Sequence, residues 1–277
     1  MAELPELETV RRELEKEAVG KRFKAPEITG TKVARHNGKK DFQARLEGAK
    51  VKSVDRRGRH LVGNLDNGEL LVLDLGDGAR LEKVAPKSTP PKGTSVVFSF
   101  TQGGQIRLVD PSGTAEAFVV ASDALADEVP AIASGGLDPV ADAVSWTSFA
   151  RVILARSTKL KALLMDPEVV AAIGPIYSDE ILWEAGLRHD RISNELSSQE
   201  IRRLFRALVE TLHEAVKHRG TTVDDYPFVD LYGKPGDYQG ELKVYGREGE
   251  PCRRCRAPIA KARFANKPLY FCEACQV

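Results

Sequence analysis

All four cysteines of the 277-residue chain fall in its last 26 residues: Cys252-Arg-Arg-Cys255, a sixteen-residue spacer, then Cys272-Glu-Ala-Cys275. No other feature constrains the fold as much. Two C-x2-C pairs a hairpin's length apart bring four thiolates onto one tetrahedral metal, and zinc suits that donor set. The competing arrangement, two disulfides, belongs to oxidising compartments. The first residues, MAELPELETV, are acidic and mixed and do not read as a secretory signal. No run approaches the roughly 18 apolar residues of a membrane helix. A cytoplasmic protein with no membrane partner is therefore expected, with one structural zinc held by Cys252, Cys255, Cys272 and Cys275. The spacer RAPIAKARFANKPLYF has β-type residues at both ends and a turn-like centre, so it should form a hairpin with Arg263 and Lys267 at its tip. So short a hairpin hardly folds without metal. Basic groups on a rigid tip suit phosphate contact, or are ordinary solvated charge.

The rest of the chain divides by pattern. With 42% hydrophobic and 29% charged residues it is a soluble globular composition, long enough for two domains. The net charge of +1 selects no partner, so the distribution of charge must. Leu7, Val10 and Leu14 predict a helix over 6–18. From about 22 to 120 the runs KVKSV, HLVGNL, ELLVLDL, TSVVFSF and QIRLVD, separated by DNG, GDG and QGG, predict an antiparallel sandwich or barrel. PKSTPPKG reads as a loop, and SDALADEVPAIASGGLDP as a Gly/Pro-punctuated linker. Residues 145–219 read as helical throughout, beginning at a Ser cap. The expected layout is an α+β chain with a β-domain over 1–124, a linker over 125–143, a helical domain over 144–240 and a zinc finger over 241–277.

Glu3, Pro5 and Glu6 crowd the start of the chain, where residues are usually frayed. They read either as an acidic opening to a surface helix or as groups serving the terminal amine. ELPELETVRREL, KLKALLMD, IYSDEILWEAGLRHDR, RGTTVDDY and QGELKVYGREGEPCRRC, in that order and at that separation, resemble the formamidopyrimidine-DNA glycosylase and endonuclease VIII family along the whole chain. The resemblance implies an N-terminal β-sandwich, a helix–two-turns–helix domain and a zinc finger, with DNA held in the cleft, and a place in base excision repair. Family members attack C1′ of a damaged nucleotide with the amine of residue 2, exposed when Met1 is removed. On this resemblance Ala2 is the nucleophile, Glu3 shuttles protons and Glu6 holds the terminus. Arg59, Lys159, Lys161 and Lys267 are the expected phosphate contacts. The protein is expected to act as a monomer on DNA.

The departures from the family pattern are clustered. Position 2 is usually proline and here is Ala2, a primary amine without the ring that aims the nitrogen. The β-domain lysine becomes Arg59, which keeps charge but does not deprotonate. Asp74 replaces a phosphate-facing histidine, and Asp77 replaces the methionine that fills the gap left by a flipped base. The opposite-strand arginine and phenylalanine give way to small residues around Ser112 to Thr114, and Pro175 replaces a backbone-gripping asparagine. Three readings follow: a divergent glycosylase and abasic-site lyase favouring single-stranded or other non-duplex DNA; a catalytically silent DNA-binding paralogue, nucleoid-associated like the first; or a scaffold whose Asp74 and Asp77 face a basic protein partner.

Overall fold

The computed structural model describes residues 2–29, 37–85, 88–133 and 135–277. Met1, whose removal the expected chemistry needs, lies outside them, as do Pro86 and Lys87 of the PKSTPPKG loop and Ser134 of the expected linker. The chain gathers into two compact units, the first formed by residues 1–133 and 218–237, the second by 134–217 and 238–277.

In the first unit, α1 (Leu4–Ala18) starts where Glu3 leaves helical geometry and Pro5 occupies the first turn, the one place a helix tolerates proline. Its apolar stripe, Leu4, Leu7, Val10, Leu14 and Ala18, is buried. The chain continues through β1 (Glu27–Ile28), α2 (Lys39–Leu46), β2 (Val51–Arg57), β3 (His60–Leu65), β4 (Glu69–Asp74), β5 (Arg80–Val84), β6 (Thr94–Ser99), β7 (Gln105–Val109) and β8 (Glu116–Ala121). Two antiparallel four-stranded sheets result, ordered β2-β3-β4-β8 and β1-β6-β7-β5. This is the expected sandwich. Its core holds a cavity of about 40 Å³ lined by Leu14, Phe23, Leu61, Gly63, Phe98 and Phe100 among others.

Two stretches differ from the sequence reading. Residues 39–46, inside the β-like region, form α2 because Phe42 and Leu46, four apart, share one face, and both are fully buried. The expected linker carries α3 (Leu125–Glu128) and α4 (Pro130–Ala133). Leu125 inserts among Val62, Leu70, Val72, Phe118 and Val120, so this part of the chain belongs to the sandwich.

The second unit contains α5 (Trp146–Leu154), α6 (Leu160–Leu164), α7 (Pro175–Ala185), α8 (Ser198–Lys217), and the strands β9 (Ala260–Phe264) and β10 (Lys267–Phe271). The Ser145 hydroxyl caps α5 by accepting from the Ser148 N–H at 3.1 Å. The helical reading is interrupted between these elements, and α7 ends at Gly186, whose φ of 67° is left-handed. In α8, Ile201, Leu204, Leu208, Leu212 and Ala215 form the buried face. The zinc hairpin shares this unit with the helices, and residues 218–237 join the first unit, unlike the boundaries expected from composition.

Candidate nucleic-acid site and zinc centre

The carboxylates at the chain start are interior groups. Glu3 and Glu6 are 1% and 2% exposed. They cap α1 reciprocally: the Glu3 N–H donates to Glu6 Oε2 at 2.9 Å, and the Glu3 carboxylate faces the Glu6 N–H. The second Glu6 oxygen accepts the N–H of Thr221 at 2.7 Å, across 215 residues of sequence. Burying a carboxylate is costly unless hydrogen bonds replace water, and here backbone donors do so. Gly220 makes the approach possible. Its φ is +84°, and a Cβ there would lie 2.5 Å from Glu6 Oε1. Gly236 in turn packs against the Gly220 carbonyl at a distance no side chain permits. Ala2, half-buried, directly precedes this pair.

The same helix holds the rest of the 218–237 segment. Glu6, Glu13 and Glu17 fall within about 40° of one another around a helix of 3.6 residues per turn. Glu13 accepts the Leu231 N–H at 2.8 Å, and Glu17 accepts the Tyr232 hydroxyl at 2.7 Å while pairing with Lys83 at 2.9 Å. Asp230, 1% exposed, accepts the Tyr232 and Lys234 N–H groups and pairs with Arg219 at 3.2 Å. Burial, and then the neighbouring Asp230, push the Glu13 carboxyl above its ordinary value. On another side of α1, Glu8 binds Arg11, Arg12 and the buried Arg56. Burial works against the Glu8 charge, but these guanidiniums, Arg11 foremost, hold its carboxyl below the ordinary range.

Arg59 and Asp74 form a pair. Antiparallel register places His60 opposite Asp74, so residue 59 lies beside it. Arg59 donates to Asp74 Oδ1 from Nη2 at 2.9 Å and Nε at 3.1 Å, and the Gly76 N–H donates to the same oxygen at 2.9 Å. His60 Nε2 lies 3.8 Å from Oδ2. Burial lowers the His60 pKa, with Asp74 acting in the opposite sense. The turn after β4 is closed onto the next loop: the Asp77 N–H donates to Thr114 Oγ1 at 2.9 Å, while Asp110 gathers Ser112, Gly113 and Ala115.

In the second unit the expected phosphate contact at Lys161 is corrected. Lys161 is fully buried, with Nζ 2.7 Å from Asp179 Oδ1 and 2.9 Å from the Pro175 carbonyl. It is an interior ion pair, out of reach of a ligand's phosphate. Burial pushes the Asp179 carboxyl up to about 6 against the pull of Lys161. The other Asp179 oxygen accepts the Tyr270 N–H of the hairpin at 2.9 Å, and Glu180 accepts the N–H groups of Lys243, Val244 and Tyr245. Lys159, the residue before α6, is exposed.

The four cysteine sulfurs lie within 4.8 Å of one another. A tetrahedral zinc with Zn–S near 2.3 Å requires edges of about 3.8 Å; the Cys252–Cys275 and Cys255–Cys272 separations are 3.9 and 3.5 Å. The donor set fits one structural zinc ion, and Cys252, Cys255, Cys272 and Cys275 hold it. Trp183 Nε1 and the Arg254 N–H both point at Cys252 Sγ at 3.4 Å, the kind of donors that stabilise a thiolate ligand. Gln276 clasps the second knuckle, accepting from the Cys272 N–H at 2.8 Å and donating to the Leu187 carbonyl at 2.9 Å. The hairpin turns at Ala265 and Asn266, both at positive φ (45° and 62°), leaving Arg263 and Lys267 exposed at its tip.

A β-sandwich whose first helix is capped by two buried glutamates, a helical unit and a four-cysteine finger together define an α+β protein of the zinc-finger class. Residues 1–116 match the formamidopyrimidine-DNA glycosylase N-terminal domain, 136–226 its H2TH domain, and 249–277 the zinc finger found in FPG and IleRS. The formamidopyrimidine-DNA glycosylase of Geobacillus kaustophilus is 38% identical over the full length of both chains, and that of Pelotomaculum thermopropionicum is 36% identical over all of this chain and 99% of its own. The MutM (Fpg) crystal structure from Thermus thermophilus superposes with a TM-score of 0.88 at 33% identity, covering 99% of this chain and 98% of that one. The Lactococcus lactis Fpg in complex with DNA containing an abasic site gives 0.90 at 29%, covering 99% of each. This chain belongs to the formamidopyrimidine-DNA glycosylase family.

Sequence reasoning missed the internal role of Lys161 and the joining of Arg59 to Asp74. Strand register was the signal for the second, since HLVGNL and ELLVLDL flank one DNG turn. For the first, Lys161 in KLKALLMD lies in line with Leu164, an interior spacing.

Proposed function

We propose that this protein is a DNA-binding member of base excision repair, a divergent glycosylase and abasic-site lyase acting through the Ala2 amine. The observation that carries the reading is the Glu6 carboxylate, which holds the Glu3 N–H with one oxygen and the Thr221 N–H with the other. Such an arrangement fixes the chain end beside two buried carboxylates, which a frayed surface helix has no use for. An α-amine titrates near 7.7–8.0, so a useful fraction is neutral at physiological pH. The neutral amine adds to the C1′ aldehyde of an abasic site; water leaves, and the imine acidifies the adjacent C–H. Elimination then breaks the bond to the 3′ phosphate. Glu3 moves the protons, and Glu6 keeps the backbone in place.

Lys159 and Lys267 are the cations assigned to DNA phosphates; Arg59, the other cation expected there, is held by Asp74. Small residues around Ser112–Thr114 and the carboxylate of Asp77 leave little to occupy the gap of an extruded base. Single-stranded or gapped substrates are therefore favoured, because flipping is cheapest there. A second reading, a silent DNA-binding paralogue, draws support from the ion pair that already engages Arg59. Borohydride trapping of native-terminus protein on an abasic-site oligonucleotide separates the two. A covalent adduct that disappears when an N-terminal tag blocks the amine is the expected result. Equal nicking by tagged and native protein removes Ala2 from the mechanism, and no adduct from either favours the silent reading.

A further inference from the structure

We propose that Asp74 is a built-in competitor for the phosphate that Arg59 would otherwise hold, and so determines how strongly the β-sandwich unit grips a nucleic-acid backbone. The proposal rests on the reading of this protein as DNA-binding. Asp74 Oδ1 receives three N–H donors, from Arg59 Nη2, Arg59 Nε and the Gly76 backbone, between 2.9 and 3.1 Å. A guanidinium offering two donors with a backbone N–H beside them is the donor set that a phosphate oxygen takes. Here the chain's own carboxylate fills it. The guanidinium side chain is 41% exposed and that of Asp74 18%, so the pair lies at the surface, open to exchange. Exposed pairs are worth about 0–1 kcal/mol, so up to about that much binding returns when the carboxylate is removed. While Asp74 holds Arg59, an approaching phosphate gains no net cation there and meets a neighbouring negative charge. Register places Asp74 opposite His60 on one strand and Glu116 on the other, with Arg57 beyond His60, so the two carboxylates at this strand end are matched in charge by the guanidiniums of Arg57 and Arg59.

The test is a mutant cycle read by fluorescence anisotropy, using an oligonucleotide with a tetrahydrofuran abasic analogue, single-stranded and duplex, over a range of salt. Asp74→Asn should tighten binding about fivefold at low salt. It should also steepen the logarithmic salt dependence by about one phosphate contact. Arg59→Ala should change the parent less than about twofold, yet abolish the gain in the Asp74→Asn background. Asp77→Asn removes the same charge from the same turn; its effect, a general one, should survive Arg59→Ala. Without DNA, the Arg59 Nε–H should be ordered by NMR in the parent and in Asp77→Asn, and loosened in Asp74→Asn. If Arg59→Ala weakens the parent as much as it weakens Asp74→Asn, Arg59 already contacts phosphate and the proposal fails while DNA binding stands. An Arg59 Nε–H equally mobile in parent and Asp74→Asn also overturns it. If no variant binds DNA, both this proposal and the DNA-binding reading fall.

Discussion

Gly220 shows what one residue contributes to the chain start. Its left-handed φ and its contact with Glu6 leave no room for a Cβ. Gly220→Ala should destabilise the protein by more than about 1 kcal/mol and expose the Thr221 amide to hydrogen exchange, measurable by denaturation and NMR. At Ala2 the expected change runs the other way. Ala2→Pro should raise the rate of adduct trapping at abasic sites, because a ring nitrogen is better aimed and more basic, and misaim of about 1 Å can cost roughly 100-fold. Trapping by the parent should climb as pH rises through about 7–8, where the amine loses its proton. An unchanged rate in Ala2→Pro would show that aim is not limiting. The ELPE motif was legible in sequence because its residues are adjacent. Its anchoring by Thr221 was not, since nothing local reports a hydrogen bond spanning 215 positions.

Among the elements, α7 carries two buried carboxylates, Asp179 and Glu180, side by side. Lys161→Ala should cost about 3–5 kcal/mol, since it strands Asp179 without its partner. It should leave the salt dependence of DNA binding unchanged, whereas Lys159→Ala should reduce it. The pH response has a definite sign. Asp179 titrates near 6 in the fold against about 3.9 unfolded, so it favours folding fully below pH 3.9 and loses that contribution as pH rises to 6. Replacing both partners, as in Lys161→Met with Asp179→Leu, should therefore gain stability relative to the parent between pH 4 and pH 7 in denaturant titrations. In the sandwich, Gly63 lies within β3 and borders the core cavity, and an added Cβ would meet only Leu71 atoms at 3.7–3.8 Å. Gly63→Ala should stabilise by about 0.5–1 kcal/mol. Strands with clear turn signals were readable from sequence. Helix α2 was not, because two buried positions in eight residues make a weak period.

On the scale of the whole molecule, the zinc should matter unevenly. Trp183, Asp179 and Glu180 tie α7 to the finger and its approach segment, so chelation should lower the melting of the second unit and spare the sandwich, giving two separated transitions by calorimetry. The four-cysteine spacing disclosed that finger at once, since metal ligation leaves a local pattern. The two-unit division was hidden, because residues 218–237 belong by contact to a unit whose remainder ended at 133. That return of the chain also bears on how the protein is made. Synthesis proceeds from the N-terminus, so Glu3 and Glu6 leave the ribosome more than two hundred residues ahead of Thr221. Until that loop emerges, one Glu6 oxygen lacks its backbone donor, and the N-terminal end stays unlatched. A nascent or prematurely terminated chain would thus carry a sandwich without a finished chain end, and any chemistry at Ala2 would wait until nearly the entire polypeptide had been translated.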